Sequence, residues 1–473
     1  MTTTGSALGF STLDQELDET ELPCHGQLPE WLEGDLLRTG PARFEVGKAS
    51  YKHWFDGLAM LHRFRFHHGR VVYTNRYLRS NAYREAGAAG TIRRPEFATT
   101  PRPTLLQALR LSSRPKSGDN GNVNTSRIAD HIVALTETPH PVAFDPDSLA
   151  TLDSEALQPS LPGQLTTAHP HFDARRRCQY NYLLEFGRVS RYRLYRIDVG
   201  STDPQVVATI DTQRPAYMHS FGMSDRYLIL TEFPLVTNPL SFLLRNRPFI
   251  RNYHWEPERG TRFHVIDKDT GKVVKTAQAD AFFAFHHVNA FEQDGQLCVD
   301  LVAFPDASVV EDLYLDHLRS GAAITATGRL TRCTIDLAGE GPVTLRALAG
   351  ASVELPRFDY RGCAGQAYRY VYAAGSSPGA SFFDTLHKLD QESGATDTWS
   401  EAGCYPGEPV FVPAPGTRDE DNGVLLSLVL DATAGHSILV VLDASSFAEL
   451  ARIKVPHAVP FGFHGNFFSS PPG

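Results

Sequence analysis

Short runs of alternating apolar and polar residues, each closed by a turn signal, recur along the whole chain. The run from Leu61 to Leu78 alternates around His68-Gly69, as two strands joined by a tight hairpin do. Turn signals of the same kind stand at Asp145-Pro146-Asp147-Ser148, Asp269-Thr270-Gly271, Asp294-Gly295 and Asn422-Gly423. A strand is expected over Tyr227 to Phe233 behind His219, another across Asn289 to Phe304 behind His286, and one ending at Val459 ahead of His464. No βαβ alternation and no GxGxxG occurs, which argues against a dinucleotide-binding fold.

Six residues punctuate this pattern: His169, His219, His286, Glu354, Glu408 and His464. Their gaps are 50, 67, 68, 54 and 56 residues, and each sits in a distinctive block: TAHPHFD, YMHSFGM, FHHVNAFE, VELPRFDY, YPGEPVFV and FGFHGNF. One step backwards lands near Val123, making seven marks. Many short strands with one marked residue per blade-sized interval predict an all-β, seven-bladed propeller whose innermost strands bring the marked residues to the axis. The 473 residues are read as a single domain of this kind. Two segments, Thr104 to Ser113 and Pro239 to Ile250, break the strand pattern with apolar residues and interspersed arginines. They predict an amphipathic helical or loop cap over one face, and a surface that can meet a membrane interface.

Composition narrows the class. With 42% hydrophobic and 21% charged residues the chain is globular rather than disordered. A net charge of −9 argues against a nucleic-acid partner, which would need clustered lysine and arginine. Six scattered cysteines without a CxxC pair predict free thiols. The N-terminal segment lacks the basic and apolar regions of a signal peptide, and no apolar run is long enough to span a bilayer. The expected location is cytoplasmic, with peripheral membrane contact at most.

Imidazole suits iron, copper, nickel and zinc, and a histidine-ligated metal needs each ring's second nitrogen tied to a carboxylate or carbonyl. Glu137, Glu354 and Glu408 lie among apolar residues or prolines, where a buried charge needs a partner. Spacing alone leaves the glutamates open as ligands, and leaves open which histidine of HPH and of FHH matters.

The blocks LPEWLEGDLLRTGPARFEVG, HWFDGLAMLHRFRF, WEPERGTRFHVID, FHHVNAFE, ELPRFDYR, GEPVFVP and FGFHGNF resemble, in order and nearly end to end, the carotenoid cleavage oxygenase family. That resemblance implies a seven-bladed propeller carrying one Fe(II) per chain, held by His169, His219, His286 and His464, with Glu137, Glu354 and Glu408 behind the rings. It favours His169 over His171 and His286 over His287, and leaves His169 without a glutamate. It places Val123, fourteen positions before Glu137, beside one open coordination position. The implied reaction adds O2 across a conjugated C=C bond of a lipophilic polyene, a carotenoid or apocarotenoid, giving two carbonyl products. Alternatives on the same iron site are stilbenoid cleavage, disfavoured by Thr136 where that branch has lysine, and retinoid isomerisation.

Overall fold

A computed structural model describes residues 5–101, 118–244 and 247–469. Its strands form seven antiparallel sheets arranged as propeller blades, with two short two-stranded ribbons beside them. Blade one runs Leu17–Glu21, Arg70–Tyr77, Leu58–His67, Gly34–Arg43, Gly465–Ser469. Blade two, Asn124–Ile128 to Val142–Phe144, has three strands; blades three to six follow in chain order. Blade seven contains Gly423–Asp431, His436–Asp443 and Glu449–Lys454, and is completed on its outer edge by Cys24–Gly26.

The ring is therefore closed twice. The C-terminal strand pairs with Gly34–Arg38 in blade one, while an N-terminal strand pairs with Ala451–Ile453 in blade seven. Both pairings bury backbone groups that would otherwise be open sheet edges. Between blades three and four, Lys268 Nζ donates to Asp173 Oδ2 at 2.8 Å, with both side chains buried.

Turn chemistry explains much of the register. His68 and Gly69 have φ of 49° and 71°, and Asp294 and Gly295 have 51° and 77°. Positive φ at both central residues is the hairpin geometry whose twist matches the flanking strands. Asn422-Gly423 differs: Gly423 opens its strand, and the connection to Val410–Pro413 is a longer loop. The strand expected to end at Val459 ends at Lys454, leaving ten residues of irregular chain before Gly465.

The seven marked residues all lie on the inner edge, one per blade, where the inner strand's ladder is interrupted or has not begun. Val123 precedes Asn124–Ile128, His219 precedes Gly222–Met223, and His286 and His464 immediately precede His287–Gln293 and Gly465–Ser469. His169 falls between Leu165–Thr166 and His171–Asp173, and Glu408 between Cys404–Pro406 and Val410–Pro413. Glu354 sits at a register break, followed by Leu355 at φ 52°. A non-glycine residue there is strained by about 1–3 kcal/mol, which the surrounding sheet must overcome.

The two segments read as a cap are only partly described. Thr104 to Ser113 lies outside the described residues. Pro239 to Ile250 is not one helix: it contains a single turn, Ser241–Leu244, and ends in a tight turn at Ile250–Asn252. All six cysteines are free thiols. No helix among the described residues is long and apolar enough to cross a membrane.

Candidate metal centre

His169, His219, His286 and His464 each offer a ring nitrogen to one point, all within 4.8 Å of one another. His169 Nε2 and His219 Nε2 are 2.9 Å apart, and His286 Nε2 and His464 Nε2 are 3.1 Å apart. The outer nitrogens of three rings face carboxylates. His219 Nδ1 donates to Glu137 Oε1 at 2.7 Å, His286 Nδ1 to Glu354 Oε2 at 2.5 Å, and His464 Nδ1 to Glu408 Oε1 at 2.8 Å. A carboxylate only accepts, so these Nδ1 atoms carry the protons and the Nε2 lone pairs point inward. The facing lone pairs of His286 and His464, 3.1 Å apart, repel unless a cation lies between them, and neutral imidazole nitrogens are the donors such a cation takes. The donor set thus fits a metal ion.

Each glutamate is itself pinned. Tyr217 hydroxyl donates to Glu137 Oε1 at 2.8 Å, Leu355 N–H to Glu354 Oε2 at 2.6 Å, and Gly465 N–H to Glu408 Oε2 at 2.9 Å. Among the described residues no carboxylate meets the His169 ring; its backbone N–H donates to Thr167 Oγ1, whose hydroxyl donates to the carbonyl of His219. Burial, reinforced by the other three rings, holds the His169 ring well below the usual imidazole range, and His464 is pushed down to about 4 by burial despite Glu408. Neutral rings are what ligation requires.

Glu408 is fully buried. Burial alone would raise its carboxyl, but Arg357, His464 and Arg38 more than offset this, leaving it at about 2. Arg357 Nη1 lies 3.5 Å away. Both arginines escaped sequence reasoning; the signal available was the apolar RTGP and LPRF context in which Arg38 and Arg357 stand, where a charge needs a buried partner.

The two ambiguous histidines are occupied elsewhere. His171 bonds the Phe221 carbonyl at 2.8 Å and the Tyr360 hydroxyl at 3.1 Å. His287 bonds the hydroxyls of Ser220 at 2.8 Å and Thr231 at 2.9 Å.

His219, His286 and His464 open onto a cavity of about 920 Å³, which Val123, Thr136, Glu137 and Glu354 also line. Its walls are largely apolar, with the aromatic residues Trp54, Phe55, Phe97, Phe285, Phe304 and Phe463 among them. Phe55 stacks on the His219 ring with centroids 6.3 Å apart and planes at 23°. The neighbouring phenylalanines Phe282-Phe283 and Phe467-Phe468 do not line it; Phe282 and Phe283 are core residues.

A closed seven-bladed ring with four convergent imidazoles beside an apolar cavity defines a propeller with a metal-binding site. The chain belongs to the carotenoid oxygenase family: residues 10–469 match the family model described as retinal pigment epithelial membrane protein. It is 34% identical to the mitochondrial carotenoid-cleaving dioxygenase of Macaca fascicularis, covering 93% of this chain and 90% of that one. It is equally similar, at 34%, to a carotenoid isomerooxygenase of Galleria mellonella, covering 98% and 96%. Among solved structures, a Synechocystis apocarotenoid oxygenase variant superposes with a TM-score of 0.89 at 28% identity, covering 99% of this chain and all of that one. The cobalt-substituted form of that oxygenase gives 0.87 at 29% identity, covering 98% of each chain.

Proposed function

We propose that this protein is a non-haem Fe(II) dioxygenase that cleaves one conjugated C=C bond of a carotenoid or apocarotenoid into two carbonyl products. The observation that carries this is a set of four convergent imidazoles, three of which open onto a large apolar cavity. His169, His219, His286 and His464 would hold one Fe(II), with Glu137, Glu354 and Glu408 fixing the tautomers of the last three. When bound, the iron supplies the activation of O2, whose two atoms end in the two products.

The protein's own part is positional. The apolar walls take up a polyene and keep water from the reacting bond. Val123 is buried and lines the cavity, and its assigned role is to narrow the space beside the imidazoles while leaving room for a small ligand such as O2. No side chain at the centre is placed as a nucleophile or general base. Thr136 lines the cavity beside Glu137 and brings no cation there, which disfavours stilbenoid cleavage.

Access runs past the cap. Leu240 is 57% exposed and also lines the cavity, together with Pro239, Phe242 and Phe249. An exposed apolar residue at a cavity mouth suits uptake of a lipophile from a membrane surface, with the protein peripheral to it on the cytoplasmic side. The test is incubation of iron-loaded protein with β-carotene, apocarotenals and a hydroxystilbene under air and under nitrogen. Aldehydes of matching mass formed from the carotenoids only with O2 support the proposal. Cleavage of the stilbene alone, or product formation without O2, would replace it.

A further inference from the structure

Among the described residues, the cavity wall carries one carboxyl group that the metal centre does not use. Glu96 lines the cavity with Pro95 and Phe97, on irregular chain following the helix Asn81–Ala89. Both its carboxyl oxygens lie against Gly118, another lining residue: a β-carbon at Gly118 would be 3.4 Å from Oε2 and 3.6 Å from Oε1. Oε1 is buried and has no hydrogen-bond partner among the described residues. The nearby hydroxyl of Thr138 is already committed, donating to the Gly118 carbonyl at 2.5 Å.

The carboxyls around Glu96 are well supplied with donors. Asp56 accepts from the Thr99 hydroxyl at 2.6 Å and from the backbone N–H groups of Ala98 and His53 at 2.9 and 3.1 Å. Asp119 accepts from the N–H groups of Asn81 and Ala82 at 2.8 and 2.9 Å, and lies 3.6 Å from Arg94. Arg94 is further engaged by Glu85. Those donors are taken, and burial in an apolar wall favours the neutral form of a third carboxyl beside them. Burial, then Asp56 and Asp119, raise the Glu96 carboxyl well above the usual range, with Arg94 acting in the opposite direction. A protonated carboxyl donates as well as accepts, and an unmatched donor in such a wall selects for a ligand that brings an acceptor.

We propose that Glu96 is a specificity-determining residue: its carboxyl O–H donates to a carbonyl or hydroxyl oxygen at one end of the polyene. The preferred substrate class is then a polyene oxygenated at one end, not a pure hydrocarbon. This rests on reading the cavity as the polyene channel. The placement also sets register. Phe97, next in the chain, meets Phe55 at a centroid distance of 5.1 Å, and Phe55 stacks on His219. An aromatic wall thus connects the carboxyl to the metal centre, and an end held at Glu96 fixes which double bond lies at the imidazoles.

The test compares wild type, Glu96→Leu and Glu96→Gln, iron-loaded, on an apocarotenal and on β-carotene. Within each preparation the ratio of the two kcat/KM values is independent of the fraction correctly folded. The ratio is expected to fall about tenfold in Glu96→Leu, the loss of one substrate hydrogen bond, and to stay within about threefold of wild type in Glu96→Gln, whose amide N–H still donates. Apocarotenal affinity, measured under nitrogen by quenching of tryptophan fluorescence, should fall by a similar factor in Glu96→Leu only. A wild type that cleaves neither substrate but binds the apocarotenal about tenfold more tightly than Glu96→Leu would remove the dioxygenase reading and uphold the role of Glu96. Unchanged ratios and affinities in Glu96→Leu would overturn that role.

Discussion

Glu408 joins the first residue of the strand Gly465–Ser469 to the residue just before it: Oε1 accepts from the His464 ring and Oε2 from the Gly465 backbone N–H. The carboxylate thus sets the imidazole's tautomer and anchors the strand that delivers it. Glu408→Gln offers one acceptor oxygen where two donors wait, and turns an N–H toward the other. Iron content or turnover is expected to fall about 10–100-fold, as for other partners of metal-bound histidines. Iron per chain by elemental analysis, with turnover measured in parallel, checks this; wild-type values for both would refute the role of Glu408.

Adjacent histidines separate ligation from packing. His169→Ala and His286→Ala should abolish stoichiometric iron binding. His171→Ala and His287→Ala should keep the iron while losing about 1–3 kcal/mol of stability, because each leaves buried hydrogen-bonding groups unpaired. Metal analysis beside urea unfolding distinguishes the two patterns.

Val123 tests the steric argument at the open side of the site. Val123→Phe should retain iron and reduce turnover more than tenfold by filling the space beside the imidazoles. Loss of iron together with activity would mean that Val123 supports the ligands instead.

The Lys268–Asp173 pair ties blade three to blade four in a buried setting. Lys268→Met leaves Asp173 with Arg176 alone, 3.2 Å away, and should cost about 3 kcal/mol. Adding Asp173→Asn should recover part of that loss, measured as the urea midpoint of the double variant against each single one.

Acid sensitivity has a specific source in His53. Its Nδ1 accepts from Phe55 N–H at 3.1 Å, so its Nε2 donates to the Val310 carbonyl at 3.0 Å, and the ring is buried and neutral. Burial depresses it to about 3. The unfolded chain takes up this proton near pH ~6.5 and the fold does not, so the contribution is complete above that pH and is lost as pH falls towards 3. Between pH 7 and 5 the loss is about 2 kcal/mol. His53→Gln should flatten the pH dependence of the unfolding free energy by that amount; parallel profiles would contradict the assignment.

The blade count was legible because each inner strand contributes one chemically distinctive residue, from Val123 to His464. Glu137 fell outside the period because it follows the second strand of blade two and reaches back to His219. The double closure left no local trace, since register between residues more than 400 apart is set by the completed ring. Arg38 and Arg357 were equally hidden: their role depends on a carboxylate brought near by other blades. The cavity aromatics could not be told from core aromatics, because both sit in apolar surroundings and only topology separates Phe55 from Phe283.

The strand Gly465–Ser469 also imposes an order on assembly of the metal centre. His464 reaches the other three imidazoles when Gly465–Ser469 zips against Gly34–Arg38, a pairing between the opposite ends of the chain. A chain in which this pairing has not yet formed therefore carries three of the four imidazoles at most. Tight metal capture waits on the pairing, and metal occupancy doubles as a record that the ring has shut.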